Sequence, residues 1–98
     1  MADGCDRVKR SDALVDWDDE SNPRGNREKV RLNGLTEAKV ESVLLDDKAR
    51  VLPNRSHSEN CLVEGHAFTD RFIVVAFQVL DEGVPVIRPI TAFEPDED

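Results

Sequence analysis

Arginine has the clearest capacity for chemistry in this chain, because its guanidinium group binds phosphate through two parallel hydrogen bonds. Arg24, Arg27 and Arg31 fall at positions i, i+3 and i+7, so a helix through them would place all three on one face. Such a stripe is typical either of a solvated helix face or of a surface that follows a phosphate backbone. Of the arginines further downstream, Arg55, Arg71 and Arg88 are also candidates for binding phosphate.

The histidines and cysteines give no comparable pattern. His57, Cys61 and His66 offer three zinc-ligand types, but no CxxC or HxxxH pair anchors them. Cys61 begins an apolar run, which favours a buried, inert thiol over a catalytic one. No glycine-rich phosphate loop is present. We therefore predict neither a metal nor another cofactor.

Length and charge restrict the class of protein further. Ninety-eight residues suit one small domain, and the sequence contains no run of about 20 apolar residues. Its first residues lack an apolar segment, so we expect no signal peptide. The net charge of −8 is concentrated at the ends, which leaves residues 21–93 neutral. We expect a flexible acidic lead-in over 1–12, one domain over 13–94 and an acidic tail over 95–98. With two cysteines only, a reduced, cytoplasmic chain is the expectation.

The first half of the domain predicts a short strand and two helices. The segment "ALVDW" alternates like a strand, and Asn22 followed by Pro23 indicates a helix start. This helix should end near Asn33, with Gly34 closing it. A second helix should begin after an N-cap at Thr36, with a buried stripe formed by Val40, Val43 and Leu44.

The second half predicts about four antiparallel strands: "ARVLPN", "CLVEGHAF", "FIVVAFQVL" and "VPVIRPITAF". Pro85 and Pro89 lie four residues apart, so both lack an N–H on the same edge of the last strand. That strand should be an edge strand or carry a bulge. Helices and strands come in blocks, which predicts an α+β fold with one sheet.

Several segments share their order with one known family. They begin with Trp17-Asp18 and an asparagine-bearing first helix, "NPRGNREKVRLNG", and continue with "GLTEAKVESVLLDD", "DRFIVVAF" and "RPITAFE". Together, over about residues 15–94, they resemble the BrnT-like toxins. These are ribonucleases of type II toxin–antitoxin modules, with a fold related to that of the RelE toxins.

The resemblance implies metal-independent RNA cleavage, in which the neighbouring 2′-hydroxyl attacks the phosphate. Such a site needs cations for the developing charge, a proton acceptor and a proton donor. The expected phosphate clamp is Arg55 with Arg71, and His57 or His66 would transfer the proton. The expected RNA-binding residues are Arg24, Arg27, Arg31 and Arg88. The implied partners are RNA and a cognate antitoxin, and a homo-oligomer remains open.

Three positions depart from the family pattern. Asn33 replaces a histidine, Asp70 replaces a glycine, and Phe93-Glu94 stands where many relatives carry an arginine. The last departure removes a candidate transition-state cation, unless Arg88 takes its place. The alternative hypothesis is therefore a non-catalytic protein- or RNA-binding module on the same fold.

Overall fold

The computed structural model describes residues 5, 8–53, 60–67 and 71–95. A 3-10 turn at Arg10–Asp12 leads into β1 (Leu14–Val15), which is followed by α1 (Asn26–Leu32) and α2 (Glu37–Leu44). The remaining strands are β2 (Arg50–Pro53), β3 (Cys61–Ala67), β4 (Arg71–Asp81) and β5 (Val86–Phe93). The predicted α+β class and element order are confirmed.

The described strands form one sheet in the order β1-β5-β4-β3-β2. Strands β2 to β5 pair antiparallel with their sequence neighbours, whereas β1 runs parallel to β5 at the opposite edge from β2. The two helices connect these edges and pack on one face of the sheet. In the described part of the chain, no helix is long and apolar enough to cross a bilayer.

The core lies between the helices and alternate residues of the strands. Ile73, Val75 and Phe77 of β4 are fully buried, as the period of two in a strand requires. They meet the α2 stripe of Val40, Val43 and Leu44, whose predicted burial is confirmed. The predicted cap is also present, because the Thr36 side chain accepts a hydrogen bond from the Lys39 amide at 3.2 Å.

The start of the first helix differs from the prediction. Helix α1 begins at Asn26 after Gly25, so Asn22 does not cap it. Asn22 Oδ1 instead accepts from the Arg24 amide at 3.0 Å, which closes a local turn before the helix. At the other end, Gly34 adopts a φ of 79°, the left-handed conformation expected after a helix.

Part of the predicted lead-in packs onto the domain. Cys5 and Val8 are buried in the core, and Cys5 forms a disulfide with Cys61. Cys61 is buried as predicted, but the prediction of a free thiol there is wrong. Arg10, only 4% exposed, donates to the carbonyl oxygens of Leu44, Asp46 and Ala49, at or just beyond the end of α2. The Leu44 carbonyl lies at the negative end of the α2 dipole, and the other two carbonyls supply further acceptors beyond the helix, so a buried cation is stabilised there.

Pro85 and Pro89 lie on either side of the β5 residues that pair with β1. Strand β5 lies inside the sheet, so it is not an edge strand, but it is bulged beside Pro89, where Ile90 has no partner on β4. Leu14 pairs with Val86, between Pro85 and Pro89. Because neither proline can donate to a neighbouring strand, the parallel ladder is limited to the short stretch between them.

Candidate functional site

The densest set of charged contacts joins the end of β1 to β5. Arg88 donates from Nη1 to Asp18 Oδ1 at 2.8 Å and from Nη2 to Asp18 Oδ2 at 2.7 Å. A longer contact of 3.4 Å joins Nη1 to Asp16 Oδ2. Two parallel bonds to one carboxylate are the strongest arrangement that a guanidinium makes. Carboxylates therefore occupy the guanidinium of Arg88, which the sequence predicted to bind RNA.

The titration of Asp18 reflects this pairing. Hydrogen bonds from Arg88, and then one from the Asn26 amide, lower the pKa of the Asp18 carboxyl from 3.8 to about 2. In return, the Asp18 carboxylate raises the pKa of Arg88. Both groups are charged at neutral pH, so the pair persists there.

Asn26 fixes the backbone on both sides of this pair. Its Nδ2 donates to the carbonyl oxygens of Asp16 at 2.9 Å and Pro89 at 2.8 Å, and its Oδ1 accepts from the Asp18 amide at 2.8 Å. In a parallel ladder, the Asp16 carbonyl would accept from the amide of residue 89, which is a proline. The Asn26 side chain supplies the missing donor, which explains why a buried amide begins α1.

The arginines of α1 are also paired with carboxylates. Arg27 Nε donates to the Asp18 carbonyl at 2.6 Å, and its Nη1 lies 3.2 Å from Glu37 Oε2. The same guanidinium lies 5.8 Å from the centre of the Trp17 ring. Arg31 makes two bonds to Glu37, both of 3.1 Å, and these lower the pKa of Glu37.

These contacts form two groups of ion pairs on the described surface, which the bond from Arg27 to the Asp18 carbonyl links; together we call them the ion-pair cluster. A further bond of 3.3 Å links Arg31 to Glu20. With three arginines and four carboxylates, the formal charge of the cluster is −1, whereas the helix sequence alone suggested a local excess of positive charge. The members of the ion-pair cluster are Asp16, Asp18, Glu20, Arg27, Arg31, Glu37 and Arg88.

Arg24 does not belong to this cluster. It lies in the turn before α1, so the predicted face shared by Arg24, Arg27 and Arg31 is wrong for its first member. Its side chain is exposed and contacts no carboxylate among the described residues.

Arg71 and His66 lie at the other end of the sheet. Ala67 is paired with Arg71 and His66 with Phe72, so both candidate catalytic side chains stand at the adjoining ends of β3 and β4. Both are exposed. Arg71 Nη1 lies 2.8 Å from Glu94 Oε1, and the His66 ring meets the Phe72 ring edge-on at 5.2 Å.

The strand register separates the two candidate groups. Arg88 is paired with Gln78, seven residues along β4 from Arg71. At about 3.4 Å per residue, the two arginines are separated by about 24 Å along the sheet. Arg71 and Arg88 therefore do not share one phosphate-binding site.

Two candidate residues, Arg55 and His57, lie outside the described residues. Among the residues that the structure does describe, no three His, Cys, Asp or Glu side chains are grouped so that they could hold a metal ion.

Sequence reasoning missed the acidic and amide partners. Asp18, Glu37 and Glu94 occupy the arginines, and Asn26 joins the strands to the helix. One signal was present, since acidic residues crowd the segment between the first strand and the first helix.

No protein-family model matches the chain, and no curated protein matches it.

Proposed function

We propose that this chain is a non-catalytic, protein-binding member of the BrnT-like fold family. The single observation that carries the proposal is the occupation of Arg27, Arg31, Arg71 and Arg88 by carboxylates. A phosphate would have to displace a carboxylate from each guanidinium. The segment order that resembles the family supports the family, and Phe93 at the position of an arginine supports the loss of catalysis.

The charge of the chain favours a basic protein as its partner. The net charge is −8, and the ion-pair cluster adds no positive surface to offset it. An acidic surface attracts a partner of opposite charge and repels RNA. The resemblance implies that this partner is encoded in the adjacent reading frame, as an antitoxin would be.

Incubation with RNA tests the catalytic half of the proposal. Total RNA is incubated in EDTA with the wild-type chain and with Arg71→Ala, and the products are separated on a denaturing gel. We expect intact RNA with both proteins. Cleavage by the wild type that Arg71→Ala abolishes would overturn the proposal.

Co-expression tests the binding half. The chain and the product of the adjacent reading frame are produced together, with a tag on this chain only. We expect the two to elute as one complex at low salt and to separate as the salt concentration rises. Separate elution at low salt would contradict a protein-binding role.

One observation favours a second candidate, a metal-independent ribonuclease. Arg71, a cation, and His66, a proton-transfer group, are both exposed to solvent at the adjoining ends of β3 and β4, although the alternation of side chains places them on opposite faces of the sheet. The Arg71–Glu94 pair is exposed, and such pairs contribute little stability. The RNA incubation decides between the two candidates, because only a ribonuclease cleaves.

A further inference from the structure

The sheet has one face that no described helix or strand covers. The helices pack against the odd-numbered residues of β3 and β4, so the even-numbered residues face the other way. We call this the helix-free face. Its apolar residues are Leu14, Leu52, Leu62, Phe72, Val74, Ala76, Leu80, Val86 and Phe93.

Two aromatic side chains make the helix-free face unusual for a solvated surface. Phe72 is 36% exposed and Phe93 is 40% exposed. Phe93 is paired with Val74, two residues from Phe72, so the rings are diagonal neighbours on β4 and β5. Aromatic residues are enriched where proteins meet other proteins.

The charges on the helix-free face nearly balance. Arg50 stands opposite Glu64 in the register of β2 and β3, and the bonds of Arg88 to Asp16 and Asp18 leave a formal charge of −1. The net charge of −8 is concentrated at the two ends of the chain, so two copies repel each other mainly through those ends. The helix-free face carries little net charge, which favours contact between copies here.

The size of the helix-free face suits a small dimer. Five strands spaced about 4.8 Å apart, with about six residues of about 3.4 Å each on average, present about 500 Å² per copy. Two such faces bury about 1,000 Å², the lower limit of a specific interface. We propose that the helix-free face binds the same face of a second copy around a two-fold axis, as a two-sheet sandwich.

Sedimentation velocity of the full chain tests this proposal at neutral pH. Interfaces near the lower size limit are weak, so the chain is studied between about 1 and about 100 µM, and the proposal predicts that its average mass rises from one chain towards two over this range. The disrupting variant is Phe93→Glu, which puts a carboxylate into the face. The matched control is Leu32→Glu, the same kind of change at a side chain that is 76% exposed on α1.

The proposal predicts a dimer for the wild type and for Leu32→Glu, and a monomer for Phe93→Glu with an unchanged circular dichroism spectrum. If Phe93→Glu unfolds, Thr91→Glu, which lies on the same face opposite Ala76, replaces it. A wild type that stays monomeric over the whole range overturns the proposal. A dimer that Phe93→Glu and Thr91→Glu both leave intact also overturns the proposal. Neither result depends on RNA or on a heterologous partner.

Discussion

Replacing Asn26 tests whether its side chain substitutes for the hydrogen bond that Pro89 cannot make. The side chain is 2% exposed and makes three hydrogen bonds to backbone groups of Asp16, Asp18 and Pro89. Asn26→Ala leaves two carbonyls and one amide without these partners. At about 1 kcal/mol for each bond, the expected loss is about 3 kcal/mol of unfolding free energy.

The assay is urea denaturation followed by circular dichroism, with the slope held common so that the midpoint reports stability. For a domain of this size, a loss of about 3 kcal/mol lowers the melting temperature by about 15 °C. The matched control is Asn22→Ala in the preceding turn, where the side chain is exposed and makes one bond, to the Arg24 amide, so the loss should be at most about 1 kcal/mol.

A second variant separates the donor from the shape of the side chain. Asn26→Asp keeps the size and the acceptor, but at neutral pH it turns a carboxylate oxygen towards two carbonyl oxygens. We expect it to be at least as unstable as Asn26→Ala. If Asn26→Asp is as stable as the wild type, the donor to Asp16 and Pro89 contributes nothing and the reasoning is refuted.

The remaining predictions concern three other contacts. Arg10 is buried against three carbonyls, so Arg10→Ala should lower the unfolding free energy by about 3 kcal/mol, as measured by urea denaturation. Arg10→Lys should lie between Arg10→Ala and the wild type. An alanine variant as stable as the wild type would contradict this role. The folded-state pKa of Asp18 lies below its unfolded value of 3.8, so its carboxylate stabilises the fold above about pH 4, and this contribution is lost as the pH falls towards 2. The melting temperatures of the wild type and Asp18→Asn should therefore converge over that window, and a difference that does not change with pH would refute the assignment. Reducing the Cys5–Cys61 disulfide should lower the unfolding free energy by about 4 kcal/mol, from the entropy of the chain that it closes, as measured by urea denaturation with and without a dithiol. Two titratable thiols in the unreduced, denatured protein would show that the disulfide is absent.

Local signals in the sequence predicted the elements well. Alternation located β3, a near-continuous apolar run located β4, and Thr36 and Gly34 marked helix ends, because these signals depend on neighbouring residues. The start of α1 was missed because Asn22 has two uses for its side chain, a helix cap and a local turn. Its contact with Arg24 selected the turn.

The candidate site was harder to predict because its contacts join distant parts of the chain. Asp18 and Arg88 are 70 residues apart, and Arg71 and Glu94 are 23 apart. Helical spacing places residues on a face, but it does not identify the carboxylates that a fold brings to that face. The separation of Arg71 from Arg88 required the register of β4 and β5, which the sequence pattern left open.

Binding of single-stranded RNA tests the central claim most directly, because that claim concerns the occupation of arginines by carboxylates. A fluorescein-labelled oligonucleotide is titrated with the wild-type chain at low salt, and its anisotropy is followed as salt is added. The account predicts that the wild-type chain shows no salt-dependent binding to the oligonucleotide. The contradicting result is tight binding in which the logarithm of the binding constant falls with the logarithm of the salt concentration at a slope near −3. Such a slope means that about four cations contact phosphates, as many as Arg24, Arg27, Arg31 and Arg88 provide.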